Sequence, residues 1–195
     1  MRKKLILLIV LIGIMGFIYY MSAQPVLQSG EMSFGVDRWV CSHFVDGFES
    51  MTPHEQEAMV MSLDFWVRKS AHFTEYMVLG VMLMLAADMF RAGRRAKADS
   101  RSQAGWRAKA DSRLQVSSKN RTQDNDRRIG RKGDAALAIV VGVVYAVFDE
   151  VHQYFVPGRA CQLRDMIIDI CGVSAGVLIA LCALWIIRKL RRSEY

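Results

Sequence analysis

The chain has 195 residues, 52% of them hydrophobic, and its 26 Lys and Arg outnumber 19 Asp and Glu to leave a formal net charge of +7. The apolar residues are gathered into a few long runs, which excludes an ordinary soluble domain with a mixed core pattern. A hydrocarbon core of ~30 Å takes roughly 17 to 25 helical residues to cross, and the runs are measured against that length.

Leu5 to Met21 is an uncharged run of seventeen residues behind Arg2, Lys3 and Lys4, and it predicts a first span. A secretory signal peptide competes, because Ser22-Ala23 can mimic a cleavage site, although Met21 is large where a small residue is preferred. Residues 22–50 read as a loop with a short helix at Val36 to Phe44. Thr52, Pro53 and Glu55 then make a capping-box start for a helix reaching about Leu63. Phe65 and Trp66 suit the headgroup region, and Arg68-Lys69 mark the start of a second span, Ala71 to Phe90.

Residues 91–132 hold fourteen basic residues against four acids, too polar to bury a core, and are expected to be disordered or loosely helical. Within them Arg95 to Arg101 recurs twelve residues later as Arg107 to Arg113, a duplicated, solvated insertion. Ala135 to Phe148 gives a third apolar run of only fourteen residues. It spans only if Asp149 to Phe155 completes the crossing, so its charged end belongs at membrane depth. Met166 to Ile187 is the fourth run.

These runs predict an all-α integral membrane bundle of four transmembrane helices, a single domain over 1–195 with the 91–132 insertion, multi-pass in the cell membrane. With the N-terminus inside, 21 Lys and Arg fall on the cytoplasmic side against five outside, so both termini are expected in the cytoplasm. Topology accounts for the net charge, and no nucleic-acid partner is needed; the expected partners are the bilayer and an amphiphilic or lipid-linked ligand, with the oligomeric state open. The four cysteines lack a metal spacing, and no cofactor or metal is assigned from them. Cys41 and Cys161 share one side in this topology, which leaves a disulfide open.

Span two places His72, Glu75, Tyr76 and Leu79 on one helical face. Span three ends with Asp149, Glu150, His152 and Gln153 before a turn at Pro157-Gly158, beyond which comes Arg159. In span four, Asp165, Asp169, Gly172 and Gly176 form one stripe whose glycines permit close helix contact. Because the spans alternate in direction, these groups converge in the outer half of the bundle. A charge in mid-bilayer costs about 2.5 to 3.5 kcal/mol even on the lenient scale, so they must pair, neutralise or face a wet cavity. A buried network locking the helices, a metal site on His72, His152 and carboxylates, and general acid–base work by His72 or His152 are all open.

At the same residues the chain resembles the VanZ-like family, associated with teicoplanin resistance. The resemblance rests on Ser22-Ala23-Gln24-Pro25, on Val67 to Tyr76 with Leu79-Gly80, on Asp149 to Arg159, and on Asp165, Asp169, Gly172 and Gly176. It covers nearly everything but the insertion; Asp169 stands where many members have Asn. By this resemblance Lys69, His72, Glu75, Tyr76, Asp149, Glu150, Gln153, Pro157, Arg159 and Asp165 occupy the family's motif positions. It implies a bacterial, Gram-positive cell membrane and a role near the envelope, with teicoplanin tolerance a candidate phenotype. Two functions follow as expectations. One is binding or excluding an envelope amphiphile. The other is an acid–base hydrolase or transferase acting on a lipid-linked molecule, with His72, Glu75, Asp149, Glu150 and Asp165 as the catalytic cluster and Lys69, Tyr76, Gln153, Arg159 and Asp169 on the ligand.

Overall fold

The structure, a computed structural model, describes residues 2–107 and 119–193. It is helical: α1 (Arg2–Ser22), α2 (Val26–Phe44), a short 3-10 turn Phe48–Ser50, α3 (Pro53–Arg107), α4 (Lys119–Tyr154) and α5 (Leu163–Ser193), with no strand among the described residues. Among the described residues, four stretches are long and apolar enough to cross a membrane: Arg2–Ser22, Pro53–Arg94, Gly130–Tyr154 and Leu163–Arg191. The third stretch takes in Asp149 and the residues after it, so its acidic groups are part of the helix.

The start of α3 follows from its capping box. The Thr52 N–H and hydroxyl donate to the Glu55 carboxylate at 2.8 and 2.7 Å, and the Glu55 N–H returns a longer bond to Thr52 Oγ1. Pro53 occupies the first helical position, where no N–H is missed. The helix does not stop near Leu63; it runs unbroken for 55 residues, about 80 Å at ~1.5 Å per residue. The described ends of the 91–132 insertion are helical extensions, α3 through Arg107 and α4 from Lys119. The second copy of the repeat lies almost wholly outside the described residues.

The tightest contact joins α3 to α5, and glycine makes it possible. A Cβ on Gly172 would stand 2.5 Å from the Phe73 carbonyl oxygen, while one on Gly176 or on Gly80 would overlap the carbonyls of Met77 and Val173. Backbone thus meets backbone where lipid tails give helices no hydrophobic reason to associate. Tyr76, Leu79, Met84, Val173 and Val177 fill the seam, with Ala138 and Ala146 of α4 and Leu11 and Ile18 of α1 closing it.

The segment after α1 is more ordered than its composition suggests. α2 begins at Val26, ten residues before the expected short helix, and packs along the first part of α3. Ser33 donates to Asp64 at 2.6 Å, and Cys41 shares a small core with Phe48 and Val60. The polar residues Ser33, Asp37 and Cys41 recur every four positions and face α3, a stripe that the aromatic residues around them obscure. All four cysteines are free, Cys41 buried and Cys161 exposed.

Candidate functional site

Short connections bring four helix ends together at one end of the bundle, here called the turn end. Tyr154 ends α4, and Gly158 takes a left-handed φ of 78°, which costs an L side chain roughly 1 to 2 kcal/mol. The chain is thereby turned so that Arg159 lies back over the bundle. Its Nε donates to the Gln24 carbonyl at 2.9 Å, with longer bonds to the Met21 carbonyl and the Gln153 side chain at 3.3 and 3.4 Å. The α1–α2 connection and the α4–α5 turn are tied through one guanidinium.

Beneath Arg159 lies the first part of the site. Asp149 is fully buried and accepts from the Ser22 hydroxyl at 2.7 Å and from Gln153 Nε2 at 3.2 Å. Its other oxygen has no hydrogen-bond partner. The second part lies across the α3–α5 seam: Lys69 Nζ stands 2.5 Å from Asp165, and one turn deeper His72 Nδ1 is 3.5 Å from Asp169. Spacings of three on α3 and four on α5 set these two pairs side by side. Glu150, also fully buried, sits between the parts and accepts the Gln162 N–H at 2.9 Å with one oxygen, leaving the other unmatched. Tyr76 is buried under the cluster, its ring 6.3 Å from that of Tyr145.

A cavity of about 270 Å³ opens beside these groups, between the end of α1, α2 and α3. Val36, Val67, Ala71 and Met21 make its walls largely apolar, and Arg68, His72, Glu75 and Arg159 are its charged or titratable lining. Glu75 thus faces the cavity, while Asp149, Glu150 and Asp169 lie behind it in the protein.

Lys69, His72, Glu75, Tyr76, Asp149, Glu150, Gln153, Arg159, Asp165 and Asp169 all lie at this end of the bundle. His152 is the exception in detail: its ring stacks on Tyr19 of α1 at 4.5 Å rather than joining His72. Among the described residues, no three His, Cys, Asp or Glu side chains come together as a metal ion would need. Ser22, Asp64 and Arg68 were missed as parts of the site. Asp64 and Arg68 stand four apart and pair at 2.7 Å, a spacing that was readable; Ser22 is 127 residues from Asp149, and no local pattern joins them.

Residues 7–187 match the family profile described as VanZ/LLP1. No curated protein and no solved structure matches the chain.

Proposed function

From membership in the VanZ/LLP1 family, to which this multi-pass membrane protein belongs, we propose that the chain binds an envelope amphiphile in the turn-end cavity, at the outer face of the cell membrane. The observation that carries this reading is the cavity itself: apolar walls from α1, α2 and α3 surround four charged or titratable side chains, Arg68, His72, Glu75 and Arg159. An aqueous solute has no use for such walls, and a plain hydrocarbon chain has no use for the four side chains. The outward orientation is supported by the basic residues, which crowd the termini and the insertion. Binding or excluding a lipid-anchored glycopeptide there would give teicoplanin tolerance as one phenotype.

Orientation and binding are tested separately. A membrane-impermeant maleimide applied to intact cells should label Cys161, which is exposed in the α4–α5 turn, and Cys161→Ser should abolish the label. Labelling only after permeabilisation would put the cavity on the cytoplasmic side. Mass spectrometry of lipid extracts from the purified protein should find a co-purifying amphiphile that is lost from a variant with the cavity filled by Ala71→Trp. An identical lipid complement in both would end the binding proposal.

Acid–base catalysis at the same place is favoured by one observation, the His72 imidazole 3.5 Å from the buried Asp169 with Glu75 on the same cavity wall. A carboxylate behind an imidazole fixes its tautomer and supports it as a base. Membrane extracts from cells with wild-type protein, Glu75→Gln or no protein separate the two: a lipid or precursor pool that changes with the gene and reverts with Glu75→Gln supports turnover, and unchanged pools support binding alone.

A further inference from the structure

Arg159 differs from four other cations that the bundle buries or half-buries. Lys69, Arg68, Arg91 and Arg188 each have a carboxylate partner within 4.0 Å, namely Asp165, Asp64, Asp134 and Asp88. Arg159 has three neutral acceptors, the carbonyls of Gln24 and Met21 and the amide of Gln153. Those acceptors carry no charge, and the carboxylates that do act on the guanidinium, those of Asp149, Glu150 and Asp165, stand beyond ion-pair distance of it. A guanidinium carries five N–H donors, so the fork has capacity to spare on the side that lines the cavity.

Arg68 supplies a second guanidinium to the same cavity. Its NH2 group is taken by Asp64, at 2.7 and 2.9 Å to the two oxygens, but its Nε is buried without a partner. The two guanidiniums are near enough to repel one another, and Glu75 makes no ion pair with either. Two like charges facing one space are stabilised by an anion between them. A phosphate offers several oxygens and matches the planar forks two bonds at a time, which a single carboxylate cannot do for two arginines at once.

We propose that the amphiphile is phosphate-bearing, its phosphate held between the guanidiniums of Arg159 and Arg68 and its hydrocarbon chain lying along Met21, Val36 and Val67. This rests on the binding reading above and adds the headgroup class. The lipid source follows from the apolar walls: a free phosphate would leave Val36, Val67 and Met21 facing water. Glu75 lines the same cavity from α3, beside Arg68 and His72, and is the group that would read a cationic headgroup instead.

The test uses the full chain, purified in detergent and titrated by native mass spectrometry with four probes: phosphatidic acid, diacylglycerol, glycerol 3-phosphate and dodecylamine. Phosphatidic acid is expected to bind at least roughly tenfold more tightly than diacylglycerol or glycerol 3-phosphate, and Arg159→Gln and Arg68→Gln should each remove about that factor. Arg159→Lys should retain part of it, because the charge stays while the fork is lost. Thermal unfolding identifies a variant that has lost its fold, and Arg68→Gln and Arg159→Lys then carry the test without Arg159→Gln. Equal binding of phosphatidic acid and diacylglycerol, or indifference to the arginine variants, overturns the phosphate while amphiphile binding stands. Equal binding of glycerol 3-phosphate overturns the lipid source. Preference for dodecylamine, lost with Glu75→Gln, overturns the headgroup class, and failure of the folded protein to bind any of the three lipid probes overturns both this inference and the reading beneath it.

Discussion

At the far end of the bundle Arg91 of α3 pairs with the buried Asp134 of α4, and Arg188 of α5 holds both oxygens of Asp88 at 2.7 and 2.8 Å. At the turn end Asp149, Glu150 and Asp169 are fully buried, and each keeps at least one oxygen without a hydrogen-bond partner. Each end pairs some of its charges, Arg91 with Asp134 and Arg188 with Asp88 at the far end and Lys69 with Asp165 at the turn end, but among the described residues Asp149 and Glu150 have no cationic partner within 4.0 Å. Unmatched buried acceptors cost stability. A fold that retains them beside a cavity keeps capacity for a proton, an imidazole or a ligand, whereas the far end has spent its charges on joining helices.

The largest effect is expected from breaking a far-end pair on one side only. Arg91→Ala leaves Asp134 buried and uncompensated and should cost about 3 to 5 kcal/mol. Replacing both partners, as in Arg91→Met with Asp134→Leu, should recover most of that, because the charge that needed a partner is gone too. Unfolding of the detergent-solubilised variants measures this. If the single variant is as stable as the wild type, Asp134 is not the buried, matched acid described here and the contrast between the ends collapses.

At the turn end the sign should reverse. Asp169→Asn keeps the shape, removes a buried negative charge whose two oxygens lack hydrogen bonds, and should leave stability unchanged or raise it by about 1 kcal/mol. It should also weaken whatever His72 does, since the imidazole loses the carboxylate 3.5 Å away. A loss of stability as large as that of Arg91→Ala would mean that the turn end is a structural lock like the far end.

The contrast between the ends also explains what could be read in the sequence. The four crossings follow from run length, and residues such as His72, Asp165 and Asp169 follow from helical spacing, because both are local. Pairing is not local. Asp88 and Arg188 are 100 residues apart, and nothing near either one names the other. His72 and His152 carry the same chemistry and sit in similar acidic surroundings in the sequence, yet only the fold sends one to Asp169 and the other to the face of Tyr19. α2 was largely missed because Gly30, Gly35 and scattered aromatics interrupt the apolar pattern, while its order comes from polar residues that meet α3.

The smallest effect concerns α2, which forms one side of the cavity. Asp37 is almost completely buried, facing Asp64 and Arg68 of α3 with Cys41 beside it on α2. Burial first, then the like charge and hydrogen bonding of Asp64, push its pKa from 3.8 up to about 6, with Arg68 opposing. A carboxyl whose pKa is higher when docked favours docking in its neutral form. That contribution is fully present below about pH 3.8 and is lost as pH rises through about 6. Hydrogen exchange of the α2 amides, corrected for the intrinsic rate, should therefore show greater protection at pH 5 than at pH 7.5. Asp37→Asn should hold the protection at its low-pH level throughout, while Arg91→Ala should leave its pH dependence in place. Protection that is flat with pH in the wild type, or that increases toward pH 7.5, would remove Asp37 as the group that holds α2 against the cavity.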